Sequence, residues 1–141
     1  GKRSSQLFQS LPGTKNTFAV KPGTTTHPLI SKAMAVQNEL KANFLEAVYQ
    51  EAMEIELGLR SIPFLPQVLL PVFYKGRELK CRYKADLLCY EKVVVEIKVM
   101  ERLTSKEEAQ ILNYMAATRM KVGVLINFGD PGRLDWQRLV L

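Results

Sequence analysis

Three charged residues stand where two apolar segments would otherwise read as plain core. Asp86 lies in Tyr83-Lys84-Ala85-Asp86-Leu87-Leu88, and Glu96 and Lys98 lie in Val93-Val94-Val95-Glu96-Ile97-Lys98-Val99. Side chains alternate along a strand, so Glu96 and Lys98 share one face while Val95, Ile97 and Val99 take the other. A hairpin closing around Glu91 places Asp86 opposite Glu96 and Lys84 opposite Lys98. Two carboxylates meeting across a ladder repel unless a cation sits between them. A divalent metal meets that need, with Lys98 as a second cation. Asp86 and Glu96 offer hard oxygens, joined by the Ile97 carbonyl, which suits Mg²⁺ or Mn²⁺. Such an ion lowers the pKa of a bound water and neutralises charge growing on a phosphate. Lys98, as a point charge, would hold the attacking water or a phosphate oxygen. The chemistry suggested is metal-assisted phosphodiester hydrolysis.

The competing reading is structural: two cross-strand ion pairs, Asp86 with Lys98 and Lys84 with Glu96, on a solvated sheet face. Such pairs contribute only about 0–1 kcal/mol. The neighbours favour chemistry. Val93, Val94, Val95 and Ile97 mark a central, buried strand, where a charge without a partner is costly. Glu46 adds a third carboxylate from a helix, although Asn43-x-x-Glu46 also fits a capping box. Gln110 and Tyr114 stand four apart, on one face of the helix that follows. A polar helix flank with a tyrosine packed at its edge would look the same.

The elements that must position these residues follow from periodicity. Thr26-His27-Pro28 opens an amphipathic helix with Leu29, Ile30, Ala33, Val36 and Leu40 on its inner face. A break at Lys41-Ala42-Asn43 leads to a second helix over roughly 44–58. Its buried stripe is expected to be Leu45, Val48, Tyr49, Ala52, Ile55 and Leu59, with Gly58 as a stop. From Ile62 the period becomes two, predicting strands near 62–74, 78–89 and 93–99, with a turn at Lys75-Gly76. Pro63, Pro66 and Pro71 make the first of these an irregular edge strand. Ser105 and Glu108 form a capping box for a helix carrying Ala109, Leu112, Met115 and Ala116. Two strands close the chain, 121–128 and 134–141, joined by Gly129-Asp130-Pro131-Gly132. The order implies an α/β sandwich with a mixed sheet.

Length and composition bound the rest. At 141 residues the chain suits one domain, placed at 28–141. Residues 1–27 read as a flexible basic arm, because Lys2, Arg3, Lys15 and Lys21 face no acid there, giving +4 of the net +6. A second basic cluster, Lys75, Arg77, Lys80, Arg82 and Lys84, is interrupted only by Glu78 and leads to Asp86. Cations around an acidic site steer a polyanion toward it. No apolar run approaches the roughly 20 residues that cross a bilayer, and no signal-peptide stretch opens the chain. An intracellular location is therefore expected, cytoplasmic, or nuclear in a eukaryote, with no membrane partner. Cys81 and Cys89 read as reduced packing residues, since a bridge within one strand is geometrically disfavoured.

Asp86, then Glu96-x-Lys98 on the next strand, then Gln110-x-x-x-Tyr114 on a helix resembles the PD-(D/E)XK nuclease superfamily. The last piece is similar to that of RecB-type and phage-exonuclease-like members. Asn43-Phe44-Leu45-Glu46-Ala47-Val48-Tyr49 resembles the signature of the GxxExxY family. The likeness continues through Gln67-x-x-x-Pro71, Tyr74-Lys75-Gly76, Glu108-Ala109-Gln110 and Gly123 to Gly129. It covers the chain from about residue 30 to its end. Two positions depart: Asn43 replaces the opening Gly, and Lys84 replaces an Arg, keeping charge but not bidentate phosphate binding.

The resemblance implies a restriction-endonuclease-like sandwich, a central mixed β-sheet flanked by helices. It implies catalytic roles for Glu46, Asp86, Glu96, Lys98 and Gln110, with Mg²⁺ or Mn²⁺ held by Asp86, Glu96, Glu46 and Ile97. Tyr114, Lys84, Arg82 and Lys80 would contact nucleic acid. The expected activity is metal-dependent hydrolysis of DNA, with cleavage from an end as one mode. A catalytically silent nucleic-acid-binding or protein-interaction module is the alternative, and a homo-oligomer or a partner chain completing the site stays open.

Overall fold

A computed structural model of the protein describes residues 26–141. The expected arm at 1–27 lies outside the described residues except for Thr26 and His27, which open the first helix, α1 (Thr26–Leu40). Leu29, Ile30, Ala33 and Val36 are buried, as their spacing predicts. The break after α1 is a backbone event: Lys41 and Asn43 adopt left-handed φ values of 63° and 82°.

The second helix, α2 (Glu46–Leu59), corrects two expectations. Its N-cap is Leu45, with no side-chain cap bond, so the Asn43–Glu46 capping box does not form. Its buried stripe is Tyr49, Met53 and Leu57, whereas Leu45, Ile55 and Leu59 are 78%, 57% and 71% exposed. Tyr49 sets this rotation. Its ring stacks on Phe128 with centroids 4.6 Å apart, and its hydroxyl donates to the Lys41 carbonyl. Met53 and Leu57 follow at four-residue steps on the same face.

Five strands make one sheet in sequence order: β1 (Phe64–Tyr74), β2 (Arg77–Cys89), β3 (Val93–Lys98), β4 (Val122–Asn127) and β5 (Asp135–Val140). Only β3 and β4 run parallel, joined by the third helix, α3 (Ser105–Thr118); the other neighbours are antiparallel. The hairpin between β2 and β3 turns where expected. Tyr90 and Glu91 both take positive φ, and Lys92 N–H donates to the Cys89 carbonyl at 3.0 Å. That pattern matches a type I′ turn, whose twist suits a hairpin.

One sheet face, with Leu87, Val93, Val95, Ile97, Val124 and Ile126, packs on α1 and α2. The other presents Leu125 and Leu139 to Ile111 and Met115 of α3. The result is an α/β sandwich around a mixed sheet. Helix α3 starts one residue earlier than expected, capped by Thr104 with Glu107 completing the box. Cys89 is buried in the core, but Cys81 is exposed and so is not a packing residue. Among the described residues no helix is long and apolar enough to cross a membrane.

Candidate active site

The site forms where β2 leaves both of its neighbours. On one side β1 pairs Pro66 with Leu87 and Val68 with Ala85, skipping Gln67 and Asp86, and Gln67 has a φ of 51°. On the other side the β2–β3 ladder holds Cys89 with Val93, Leu88 with Val94 and Leu87 with Val95. The register is the expected one, but it stops one pair short of Asp86 and Glu96. Neither that pair nor Lys84 with Lys98 forms, because the strands separate there.

Buried backbone groups released in this way need partners, and the site residues supply them. Ile97 N–H donates to Asp86 Oδ2 at 2.7 Å. The Asp86 carbonyl accepts from Gln50 Nε2 at 2.9 Å, tying β2 to α2. The Asp86 backbone in turn hydrogen-bonds the Glu96 carboxylate. Each carboxylate thus grips the other residue's strand at the fork.

Around the fork lie two hollows. The one beneath α2 is lined by Glu46, Gln50, Glu54, Gln67, Asp86 and Ile97. The one beneath α3 includes Arg82, Lys84, Glu96, Lys98, Gln110 and Tyr114. Nine of the expected residues thus surround the fork, Lys84 and Arg82 in the same hollow as Lys98, while Lys80 sits exposed on β2 outside both hollows. Glu46 is held at the start of α2 by Tyr49, whose hydroxyl takes the Lys41 carbonyl and accepts from Phe44 N–H at 3.4 Å. Among the described residues no three carboxylate, histidine or cysteine side chains form a group able to hold a metal, so Glu46, Asp86 and Glu96 do not converge.

The electrostatics still fit a hard cation. Burial raises the Glu96 carboxyl to about 7; Asp86 pushes it the same way, while the Tyr83 hydrogen bond and Lys98 act against the rise. A buried carboxyl with a raised pKa, a second carboxylate and a main-chain carbonyl beside it form an oxygen set that a divalent ion would relieve. The buried Glu96 carboxyl, with the Asp86 charge acting on it, is the observation that favours the fit.

Two groups of residues escaped the sequence reading. Tyr83, buried on β2, donates its hydroxyl to Glu96 and stacks on Tyr114, with centroids 4.1 Å apart and planes 12° off parallel. Burial, then the Glu96 charge, raises its pKa well above the usual phenol value. A tyrosine in an apolar row needs a partner for its hydroxyl, and that was the available signal. The second group anchors the segment between β3 and α3. Asn127 Oδ1 accepts from Met100 N–H at 2.9 Å and Gly129 N–H at 3.0 Å. Its Nδ2 donates to the Met100 carbonyl at 2.8 Å and to Asp135 Oδ2 at 3.1 Å. Asp135 Oδ2 also accepts from Leu103 N–H at 2.8 Å. A Cβ on Gly129 would come within 2.2 Å of the Met100 carbonyl oxygen, so only glycine fits this approach.

A mixed sheet between helical layers, with Asp and Glu-x-Lys where two strands fork, defines an α/β nuclease-like domain. The chain belongs to the PD-(D/E)XK nuclease superfamily, whose family model matches residues 24–139. That membership supports metal-dependent nuclease chemistry and a nucleic-acid substrate in general terms. No curated protein matches the chain. Among solved structures, the crystal structure of SSO0001 is similar at 14% identity and a TM-score of 0.47, covering 93% of this chain and 68% of that one.

Proposed function

We propose that the protein is a metal-dependent nuclease that hydrolyses DNA at the β2–β3 fork, and that it belongs to the GxxExxY group of its superfamily. The observation that carries this reading is the fork itself. Asp86 and Glu96 leave the ladder together and exchange hydrogen bonds with each other's strands, and the Asp86 charge adds to the burial that raises the Glu96 carboxyl, with Lys98 on the Glu96 side. Asp86, Glu96 and the Ile97 carbonyl would hold Mg²⁺ or Mn²⁺, drawing in Glu46 from the hollow it shares with Asp86 and Ile97. When bound, such an ion supplies an activated water and offsets phosphate charge. Lys98 places a cation beside the scissile phosphate, and Gln110 offers an amide to the water or a phosphate oxygen. Lys84, Arg82 and Tyr114 hold the strand that enters beneath α3, with Lys80 further out. The hollow beneath α3, with exposed Arg82 and Lys84 on its rim, suits a strand end, which supports exonucleolytic action.

Purified protein with Mg²⁺ or Mn²⁺ is expected to degrade linear DNA, with Lys98→Ala and Asp86→Asn inactive. Linear, circular, nicked and single-stranded DNA, with RNA as a further arm, separate end from internal cleavage. Cleavage that survives both substitutions would place the chemistry elsewhere. A second reading, binding without turnover, draws on the division of the acids between two hollows. Salt-sensitive DNA binding with no cleavage across this panel would select it.

A further inference from the structure

We infer that Tyr83 is a positioning residue whose hydroxyl fixes the Glu96 carboxylate and whose ring ties that carboxylate to α3 through Tyr114. The inference rests on the reading of Glu96 as a metal ligand.

Tyr83 sits on the α3 face of β2, in an apolar cluster with Leu70, Ala85, Leu88 and Val94. Packing there calls for a ring, and phenylalanine would supply one. It would also keep the stack on Tyr114. The hydroxyl is thus surplus to packing, and its partner is the Glu96 carboxylate rather than the backbone. A hydrogen bond to an ionised acceptor is roughly twice as strong as a neutral one and sets direction as well as distance. Glu96 has two oxygens with about four lone-pair positions. Tyr83 and the Asp86 backbone take part of that capacity, which leaves the remainder to point in one direction.

The ring carries the second half of the inference. Tyr114 is on α3, one turn beyond Gln110, and both line the hollow that holds Glu96 and Lys98. One face of the Tyr114 ring lies against Tyr83, and the residue remains partly open to solvent. A nucleic-acid strand that presses on Tyr114 therefore presses on the residue that orients Glu96. Contact with substrate and order at the metal site become linked through one stacked pair.

Three full-length proteins test this: wild type, Tyr83→Phe and Tyr114→Ala, each first checked for an unchanged fold by circular dichroism. Calorimetric titration of Mn²⁺ is expected to show about tenfold weaker binding in Tyr83→Phe, the size typical of losing an outer partner of a metal ligand. Its kcat should fall by a similar factor while KM for DNA stays within about twofold, a split that lost stability alone would not produce. Tyr114→Ala should also weaken Mn²⁺ binding several-fold, through the loss of its stack on Tyr83. Unchanged or tighter Mn²⁺ binding in Tyr83→Phe overturns the positioning role, and wild-type Mn²⁺ affinity in Tyr114→Ala overturns the link to α3. A wild type that binds no Mn²⁺ defeats the nuclease reading instead. Crystal structures of metal-free wild type and Tyr83→Phe then decide this inference separately: a displaced Glu96 carboxylate supports it, and an unmoved one overturns it.

Discussion

Two polar clusters flank the end of β3, and they are built on opposite principles. Around Asn127 every donor and acceptor given to the side chain is matched: two backbone N–H groups, one backbone carbonyl and the Asp135 carboxylate. The residue is fully buried and saturated. Around Asp86 and Glu96, a few residues away, two acids lie close enough to raise the proton affinity of Glu96, while their backbone partners come from a ladder that has come apart. The first cluster spends its polar groups on shape, closing the segment from Met100 to Leu103 so that α3 returns over the sheet. The second keeps oxygen lone pairs and repulsion in reserve. A saturated buried network rigidifies, whereas an unsaturated one marks where something else is meant to bind.

Substitutions should separate the two clusters by what they damage. Asn127→Leu keeps volume but strands two N–H groups and a carbonyl, while the Asp135 carboxylate keeps Leu103 N–H. At about 1–3 kcal/mol for each buried group left unpaired, partly relieved by water, the loss should be about 4 kcal/mol or more. Urea denaturation reads it; a loss under about 1 kcal/mol would mean that the network is not structural. Lys98→Ala and Asp86→Asn should do the reverse, with melting temperatures near that of wild type. DNA cleavage should drop about 10²–10³-fold, or roughly 3–4 kcal/mol of transition-state stabilisation. A severe stability loss in Asp86→Asn would show that the fork is held by its carboxylate and blur the contrast.

The contrast also explains what the sequence could show. Residue types at the candidate site were legible because strands alternate and an acid in a Val-Val-Val-x-Ile strand is anomalous. The β2–β3 register was legible because one turn at Glu91 fixes it locally. The fork was not. It depends on Gln67 of β1 taking a left-handed φ and on β2 losing two neighbours at once, and neither is encoded near Asp86. The rotation of α2 was hidden for a related reason. Val48, Ala52, Ile55 and Leu59 make as good an apolar stripe as Tyr49, Met53 and Leu57, and only the stack of Tyr49 on Phe128, far along the chain, selects between them. The Asn127 cluster went unseen because its partners are mostly backbone groups, which carry no residue identity.

The unsaturated cluster should respond to pH, and the saturated one should not. The Glu96 carboxyl is raised from 4.5 to about 7. Below about 4.5 it is protonated both folded and unfolded, so its favourable contribution to the metal-free fold is fully present. Between the two values only the unfolded chain has released the proton, so stability falls as pH rises and the contribution is gone above about 7. The shift corresponds to at most about 3 kcal/mol. Wild type should therefore lose stability relative to Glu96→Gln between pH 5 and pH 8 in chelator. Added Mn²⁺ needs the ionised carboxylate, so its stabilising effect should be larger at pH 8 than at pH 5. A wild type that tracks Glu96→Gln at every pH would remove the electrostatic half of the comparison.

The smallest effect concerns how α3 is delivered to both clusters. The saturated network ends at Leu103, and the next residue, Thr104, caps α3: its hydroxyl accepts from Lys106 N–H at 3.2 Å, and Glu107 accepts from Thr104 N–H at 2.8 Å. That box holds Glu107 below its ordinary carboxylate range, with the Thr104 side chain as the leading cause. Thr104→Ala should cost about 1 kcal/mol of global stability, the usual loss for a cap. Frayed first turns lie close to Gln110, so cleavage should fall a fewfold while Mn²⁺ affinity at Asp86 and Glu96 is kept. If Mn²⁺ affinity falls as far as cleavage does, α3 is supporting the ligands themselves, and the division between a cluster that shapes and a cluster that binds is less sharp than the hydrogen bonds suggest.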